Sequence, residues 1–169
     1  MKKNFAFAVT AALAFSACAS VPATSSSYAP QSTGGLNPNG AANYGTITLN
    51  AGFDGDPRVI DLRAGGSINA SSVGSSCSGF VTGNPDVKLN YSAGSLPLII
   101  SVAAQSDTTL VINGPDGRWY CNDDGGVNGL NPSLRWNSPA SGRYDIWVGT
   151  YSSGSTQPAR LHISELSSQ

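Results

Sequence analysis

The chain has 169 residues, a length typical of one domain, and its formal net charge is −1. Charged residues make up 11% of it, against roughly 25% in an average soluble chain. Because basic runs are lacking, nucleic acid and anionic membrane surfaces are not expected partners. Ser, Thr, Asn, Gly and Pro are abundant, and this composition favours strands and turns over helices.

Residues 1–19 have the pattern of a bacterial signal peptide. Lys2 and Lys3 give a positive start, and the apolar run 5–15 is too short to span a bilayer as a helix. The end of this run resembles a lipobox, which predicts lipidation of Cys18 and an outer-membrane lipoprotein. Cleavage beside Cys18 at an A-x-A-like site would instead give a soluble periplasmic or secreted chain. Both alternatives predict export, with the membrane contacted only through a lipid anchor.

Residues 20–43 are rich in Ser, Pro, Gly and Asn and show no apolar period. Such a composition is typical of a disordered, flexible linker. The mean reach of a linker of this length is about 25–30 Å. We therefore predict a tether that holds the domain beginning at residue 44 away from a membrane.

From residue 44 onward, apolar residues alternate with polar ones, which is the period of half-buried strands. Turn residues separate these segments, and none has the 3.6-residue period of a helix. We predict that residues 44–169 form an all-β domain, an antiparallel, jelly-roll-like β-sandwich of eight or nine strands. The alternating segments are 46–49, 58–62, 87–91, 98–102, 110–112, 118–121, 134–136, 144–148 and 160–163.

Two cysteines remain once Cys18 is assigned to the signal or to the lipid. Cys77 and Cys121 form an even pair in a chain predicted to reach an oxidising compartment. We predict one disulfide between them, which would close a loop of about 45 residues and stabilise the fold by about 4 kcal/mol. A zinc pair or a reactive thiol is the alternative, although a single histidine leaves zinc short of ligands.

The sequence lacks the residue patterns of common hydrolases. His162 is the single histidine, and the alternation around it predicts that its side chain faces solvent. No serine stands in a G-x-S-x-G frame, and no two carboxylates are marked as an acid and base pair. We therefore predict a non-catalytic protein, with a hydrolase of unknown type as an alternative.

The stretch 107–132 is the one candidate ion site. It combines carboxylates, side-chain amides and glycines, and calcium binds such oxygen-rich, flexible loops. The spacing is not that of an EF-hand, and the same residue types are preferred in ordinary turns, which is the alternative. Calcium is the candidate cofactor, and its candidate ligands are Asp107, Asp116, Asn122, Asp123 and Asp124.

Four short motifs occur in order in this half of the chain: Asp-x-x-Leu at 107–110, Pro-Asp-Gly at 115–117, the acidic run at 123–126 and Gly-x-Tyr at 142–144. Over about residues 89–151 they resemble the bacterial pre-peptidase C-terminal domain. The resemblance implies a jelly-roll β-sandwich of secreted proteases, some of which bind calcium or polymeric substrate. It carries the family's acidic positions over to Asp107, Asp123 and Asp124. This sequence departs from the family in showing no protease domain and in adding the cysteine pair.

Aromatic side chains give a rival class of function. Trp147 alternates away from its apolar neighbours, so on an open sheet face it could stack on sugar rings together with Trp119 and Tyr151. The alternative places Trp147 in a second hydrophobic layer. With the predicted export, the sequence favours a monomeric, non-catalytic binding or structural domain of the cell envelope. Its partner would be an envelope protein or a polysaccharide, and a carbohydrate- or peptidoglycan-binding module is the alternative.

Overall fold

The computed structural model describes residues 35–169 and places eleven strands in two sheets, with one 3₁₀ turn at Ala70–Ser72. The strands are β1 Thr46–Asn50, β2 Arg58–Ala64, β3 Ile68–Asn69, β4 Phe80–Val81, β5 Val87–Ser92, β6 Leu98–Ala104, β7 Thr108–Asn113, β8 Trp119–Asn122, β9 Ser133–Trp136, β10 Gly142–Thr150 and β11 Gln157–Ser164. The predicted all-β sandwich is confirmed, and every alternating segment forms a strand. The two additional strands, β3 and β4, have two residues each and are too short to show a period.

The larger sheet, sheet A, is built around β10. One side of β10 pairs with β7, and the other pairs with β5 and, at Thr150, with β4. Strands β8, β1 and β3 extend the sheet beyond β7, β5 and β4. The predicted antiparallel pairing holds for every pair except β1 and β5, which are parallel. Between these two strands the chain passes through β2 in the other sheet, and such a crossover permits parallel pairing.

The smaller sheet, sheet B, has the order β2-β11-β6-β9, with all pairs antiparallel. The main core lies between the two sheets and consists of the inward-facing half of each alternating segment. Burial of this apolar surface is the dominant stabilising term of the fold. Fully buried members of the core include Leu89, Ile100, Ile112, Ile146 and Leu161.

A second hydrophobic cluster covers the outer face of sheet A. Its buried members are Ala70, Cys77, Val81, Val111 and Trp147. The segment 70–79 crosses this face, and the Cys77–Cys121 disulfide joins it to β8, which confirms the predicted bond. Trp147 is fully buried by this layer, so its predicted role as an exposed stacking side chain is wrong. The alternative, a second hydrophobic layer, is what forms.

Residues 35–43 also pack on the sandwich. Leu36 contacts the second cluster, the N–H of Asn37 donates to Gly83 O at 2.8 Å, and Asn43 Nδ2 donates to Asp86 Oδ1 at 2.9 Å. The start of the domain at residue 44, predicted from composition, is therefore too late. The remainder of the predicted tether, the signal peptide and Cys18 lie outside the described residues. Within residues 35–169, no helix is long and apolar enough to cross a membrane.

The C-terminal residues 165–169 cover part of the outer face of sheet B. The N–H of Gln169 donates to Ser101 Oγ at 3.1 Å, and the N–H of Ser167 donates to Ser164 Oγ at 3.0 Å. His162 lies between these two serines on the same face, beside Ser101 in the ladder. Only 5% of His162 is exposed, so the prediction of a solvent-facing histidine is wrong. Its side chain does point away from the core, but the C-terminal residues cover that face.

Acid is expected to destabilise the domain through His162. Neither ring nitrogen has a hydrogen-bond partner among the described residues, and burial, followed by the charge of Arg160, lowers the pKa of His162. The folded state keeps the imidazole neutral. Its contribution to stability is therefore present above the unfolded pKa of about 6.5 and is lost as the pH falls from there through the folded pKa. Over this range the unfolding midpoint of the wild type should fall relative to that of His162→Leu.

Asp86 titrates in an overlapping pH range, and its contribution to stability changes with pH in the opposite direction from that of His162. Burial raises the pKa of Asp86 to about 6, so its contribution is lost as the pH rises through about 6. Asp86 is present in both proteins, and the difference between their pH profiles therefore isolates His162. Parallel profiles for the wild type and His162→Leu would contradict this assignment.

Candidate binding site

A groove of about 670 Å³ opens on the outer face of sheet B. Strands β2, β6 and β11 form its floor, and the segments that follow β6 and β8 form its wall. Its volume lies within the range of small-ligand sites. The sequence predicts none of its lining residues, because they come from four separate parts of the chain. The polar lining side chains are Asp61, Gln105, Ser106, Asn128, Gln157 and Arg160.

The groove contains one carboxylate and one guanidinium on adjacent strands. Asp61 and Arg160 are register partners across β2 and β11, and both are exposed. They form no ion pair with each other in the described structure. Both charges are therefore available to a ligand, and opposite charges in one groove favour a ligand with groups of both signs.

Three loops meet at one end of the groove, and we call them the loop end: residues 105–107, 123–132 and 151–156. Backbone hydrogen bonds tie them together. The N–H of Thr108 donates to Leu130 O at 3.1 Å, and the N–H of Tyr151 donates to Asp107 O at 3.2 Å. The three loops are therefore joined into one surface and do not project independently.

Buried Asn131 holds the longest of these loops in place. Its Oδ1 accepts a hydrogen bond from Thr108 Oγ1 at 2.8 Å, and its Nδ2 donates to Ala104 O at 3.0 Å. Both partners lie at the strand ends that flank the β6–β7 connection. An anchored loop loses less conformational freedom on binding than a free one, so this arrangement favours affinity.

The structure brings together three of the predicted calcium ligands at the loop end. Burial, followed by the negative charges of Asp124 and Asp123, raises the pKa of Asp107. Asp107 Oδ1 is buried without a hydrogen-bond partner, and Asp123 Oδ2 accepts from Ser78 Oγ at 2.9 Å. Repulsion among the three carboxylates is therefore only partly relieved by the protein.

The other two predicted ligands have structural roles. Asp116 lies in the turn at the far end of the β7–β8 hairpin, about 20 Å away at a rise of about 3.4 Å per residue. It accepts a hydrogen bond from Tyr120 Oη at 2.7 Å, and this bond, above all, lowers the pKa of Asp116. Asn122 Oδ1 accepts hydrogen bonds from the backbone N–H groups of Gly125 and of Ser133 at the start of β9. The prediction that one site holds all five residues is wrong, because the hairpin separates them.

Within residues 35–169, no three His, Cys, Asp or Glu side chains are grouped so as to hold a metal ion. Calcium binding stays a prediction for Asp107, Asp123 and Asp124. It predicts an unfolding midpoint several degrees higher in calcium than in chelator at about a hundredfold excess over Kd, and the shift should be lost in Asp107→Asn. Equal midpoints would contradict it and leave the loop with ordinary turn chemistry.

The predicted stacking aromatics do not form one face. Trp147 is buried, and Trp119 is half-buried against it with 5.4 Å between the ring centroids. Tyr151 is 51% exposed but follows β10 at the loop end, whereas Trp119 begins β8 at the opposite end of the hairpin. None of the three lines the groove.

Two exposed apolar residues at the loop end were not predicted as site residues. Val127 is 75% exposed and Leu130 57% exposed. The signal that could have identified them is their isolation, because they are the only large apolar residues in the polar segment 122–133.

No family model matches this chain, and no curated protein matches it. Among solved structures, the fold is similar to that of PliG from Aeromonas hydrophila, a periplasmic inhibitor of g-type lysozyme. The two chains are 18% identical with a TM-score of 0.37, and the match covers 70% of this chain and 96% of that one. At this distance the similarity says nothing about what this chain binds. The resemblance to the pre-peptidase C-terminal domain stays a prediction.

Proposed function

We propose that this chain is an exported, non-catalytic binding domain of the bacterial cell envelope and that it binds a protein in the groove on sheet B. The groove is the observation that carries the proposal. Its volume suits a projecting peptide segment, and its exposed Asp61 and Arg160 can pair with charged side chains of that segment. The amide side chains of Gln105, Asn128 and Gln157 can hydrogen-bond to the backbone of the same segment.

Export is supported by two independent features. The sequence begins with a signal-like segment, and the Cys77–Cys121 disulfide suits an oxidising compartment. Lipidation of Cys18 is part of the proposal, and mass analysis of the N-terminal peptide from a membrane fraction tests it. A mature N-terminus that lacks an acylated Cys18 would contradict the anchor and leave a soluble exported chain.

Binding rather than catalysis is supported by the chemistry of the groove. Its lining side chains include one carboxylate, Asp61, whereas glycoside hydrolysis by carboxylates needs a pair. His162 is the single histidine of the whole sequence, and it is buried with no hydrogen bond from either nitrogen. A serine nucleophile would need this histidine as its base within hydrogen-bond reach.

A protein ligand is favoured over a polysaccharide because the groove lacks an aromatic platform. Sugar rings stack on exposed aromatic faces, and the side chain best placed in sequence for that role, Trp147, is buried. Tyr151 is exposed at the loop end and is an aromatic side chain through which a sugar could still bind near the groove.

The proposal predicts that the purified, oxidised full chain co-elutes with a protein from solubilised envelope and does not pellet with peptidoglycan sacculi. A groove variant, Asp61→Ala with Gln157→Ala, should lose the co-eluting protein, because both residues line the groove and lie outside the three loops of the loop end. Asn50→Ala with Ser92→Ala is the matched control, because both residues are exposed at the paired ends of β1 and β5 in sheet A, away from the groove. Pelleting with sacculi that Tyr151→Ala abolishes would favour the carbohydrate-binding alternative. Turnover abolished by a single Asp→Asn change would favour a hydrolase.

A further inference from the structure

The loop end displays apolar side chains that the fold does not bury. Val127, Leu130 and Tyr151 are exposed by 75%, 57% and 51%. The hydrogen bonds through Asp107 and Thr108 place the backbones of Leu130 and Tyr151 on either side of one chain segment. Val127 and Leu130 belong to one loop, in which the N–H of Gly126 donates to Asn131 O at 2.8 Å. Exposed apolar side chains on an anchored surface are typical of protein-binding sites, where a few of them supply most of the affinity.

The composition of these loops is also that of a recognition surface. More than half of their residues are Gly, Asn, Ser or Tyr. Antibody binding loops, which also project from one end of a β-sandwich, are enriched in the same four residues. Tyr supplies rigid contact area, while Ser and Asn supply adaptable hydrogen bonds.

The charge of the loop end has one sign. Its three charged residues are Asp107, Asp123 and Asp124, and it contains no lysine or arginine. Two basic groups adjoin it: Arg63, which is hydrogen-bonded to Thr156 of the loop end, and Arg160 in the groove. A surface whose own charged residues are all acidic attracts basic partners at long range and repels acidic ones.

We infer that the loop end is a docking surface for a basic protein, whose apolar residues contact Val127, Leu130 and Tyr151 while its lysines and arginines face the three aspartates. The surface is continuous with the groove, since the segments 105–107 and 123–132 contribute to both. This inference rests on the proposed binding function and adds the chemistry of the partner. The carboxylates raise the association rate, and the apolar contacts slow dissociation.

Binding of the full oxidised chain to defined proteins tests the inference. Cytochrome c and lysozyme serve as compact basic probes, and α-lactalbumin serves as an acidic probe with the lysozyme fold. At about 20 mM salt we expect both basic proteins to bind and the acidic one not to bind. Association should slow at least tenfold on raising the salt to about 200 mM, where the Debye length is shorter. The triple variant Asp107→Asn, Asp123→Asn, Asp124→Asn should slow association by a similar factor.

Two further variants distinguish the effect of the carboxylate charges from the effect of the apolar contacts. Val127→Ser with Leu130→Ser should speed dissociation about tenfold while leaving the salt dependence unchanged. Asp54→Asn with Leu96→Ser is the matched control, because both residues are exposed at the opposite end of the sandwich, and it should bind as the wild type does.

Three results would overturn the inference: no binding of either basic protein, equal binding of α-lactalbumin, or an equal effect of the control variant. If the triple variant keeps its co-eluting envelope protein and the groove variant loses it, this inference fails while the proposed function stands. If neither variant affects co-elution, the proposal that a protein binds in the groove is contradicted as well.

Discussion

Removal of the Cys77–Cys121 disulfide is expected to lower the free energy of unfolding by about 4 kcal/mol, because the bond closes a loop with a sequence separation of 44 residues. The bond also holds the segment 70–79 over Trp147, so its loss should expose the second hydrophobic cluster. For a domain of this size the unfolding midpoint should fall by roughly 10 °C or more. Thermal unfolding of Cys77→Ser with Cys121→Ser measures the effect.

Reduction of the wild-type protein provides the control for this experiment. Reduction breaks the same cross-link without altering the atoms that fill the cluster, so agreement between the two measurements assigns the loss to the cross-link. A midpoint that falls by less than about 2 °C under reducing conditions would contradict a stabilising bond.

Replacement of Trp147 by Ala is expected to cost about 3–5 kcal/mol of stability, the usual cost of truncating a fully buried aromatic side chain. The indole packs against Trp119 and closes the cluster over β10. Urea unfolding should show a lower midpoint for this variant, with any loss of ligand binding following the loss of folded protein. Trp147→Phe should lower the stability less than Trp147→Ala does. The phenyl ring fills part of the space of the indole, and no hydrogen bond is lost, because the indole Nε1 has no partner among the described residues.

Tyr151→Ala is the matched control for the tryptophan variant. Tyr151 follows the same strand but is 51% exposed, so its truncation should change stability by no more than about 0.5 kcal/mol. A Trp147→Ala protein with native stability that no longer binds a polysaccharide would contradict the buried role. Such a result would restore the stacking role predicted from the sequence.

The sequence alone predicts the sandwich well because each long strand carries its own signal. In β5, Val87, Leu89 and Tyr91 alternate with Lys88 and Asn90, and all three apolar side chains are buried. The pairing partners are not local. Nothing in the sequence of β1 indicates a parallel neighbour, and β3 and β4 depend on contacts made by residues distant in sequence.

The two wrong side-chain predictions share one physical cause. Alternation correctly places Trp147 and His162 on the outer faces of the two sheets, but it cannot show what covers those faces. The segment 70–79 covers Trp147, and the residues after Ser164 cover part of the face that holds His162. Neither covering segment has a regular alternation of apolar and polar residues, so only the three-dimensional structure shows where these segments pack.

The candidate site was predictable only in part. The acidic residues Asp107, Asp123 and Asp124 stand out in the sequence, and all three lie at the loop end, where the charges of Asp124 and Asp123 help to raise the pKa of Asp107. The same composition argument included Asp116, which lies at the far end of the hairpin, because sequence proximity does not measure distance along a strand. The groove residues Asp61 and Arg160 are ordinary strand residues in sequence and become neighbours only through the β2–β11 register.

Photo-crosslinking in intact cells tests most directly whether this face binds a protein. A photoreactive residue at Asn128, where the groove meets the loop end, is compared with one at Asn50 on the edge of sheet A. We expect a discrete protein adduct from position 128 in the envelope fraction and none from position 50. An adduct from position 50 alone, equal adducts from both positions, or no adduct from position 128 would contradict a protein-binding groove.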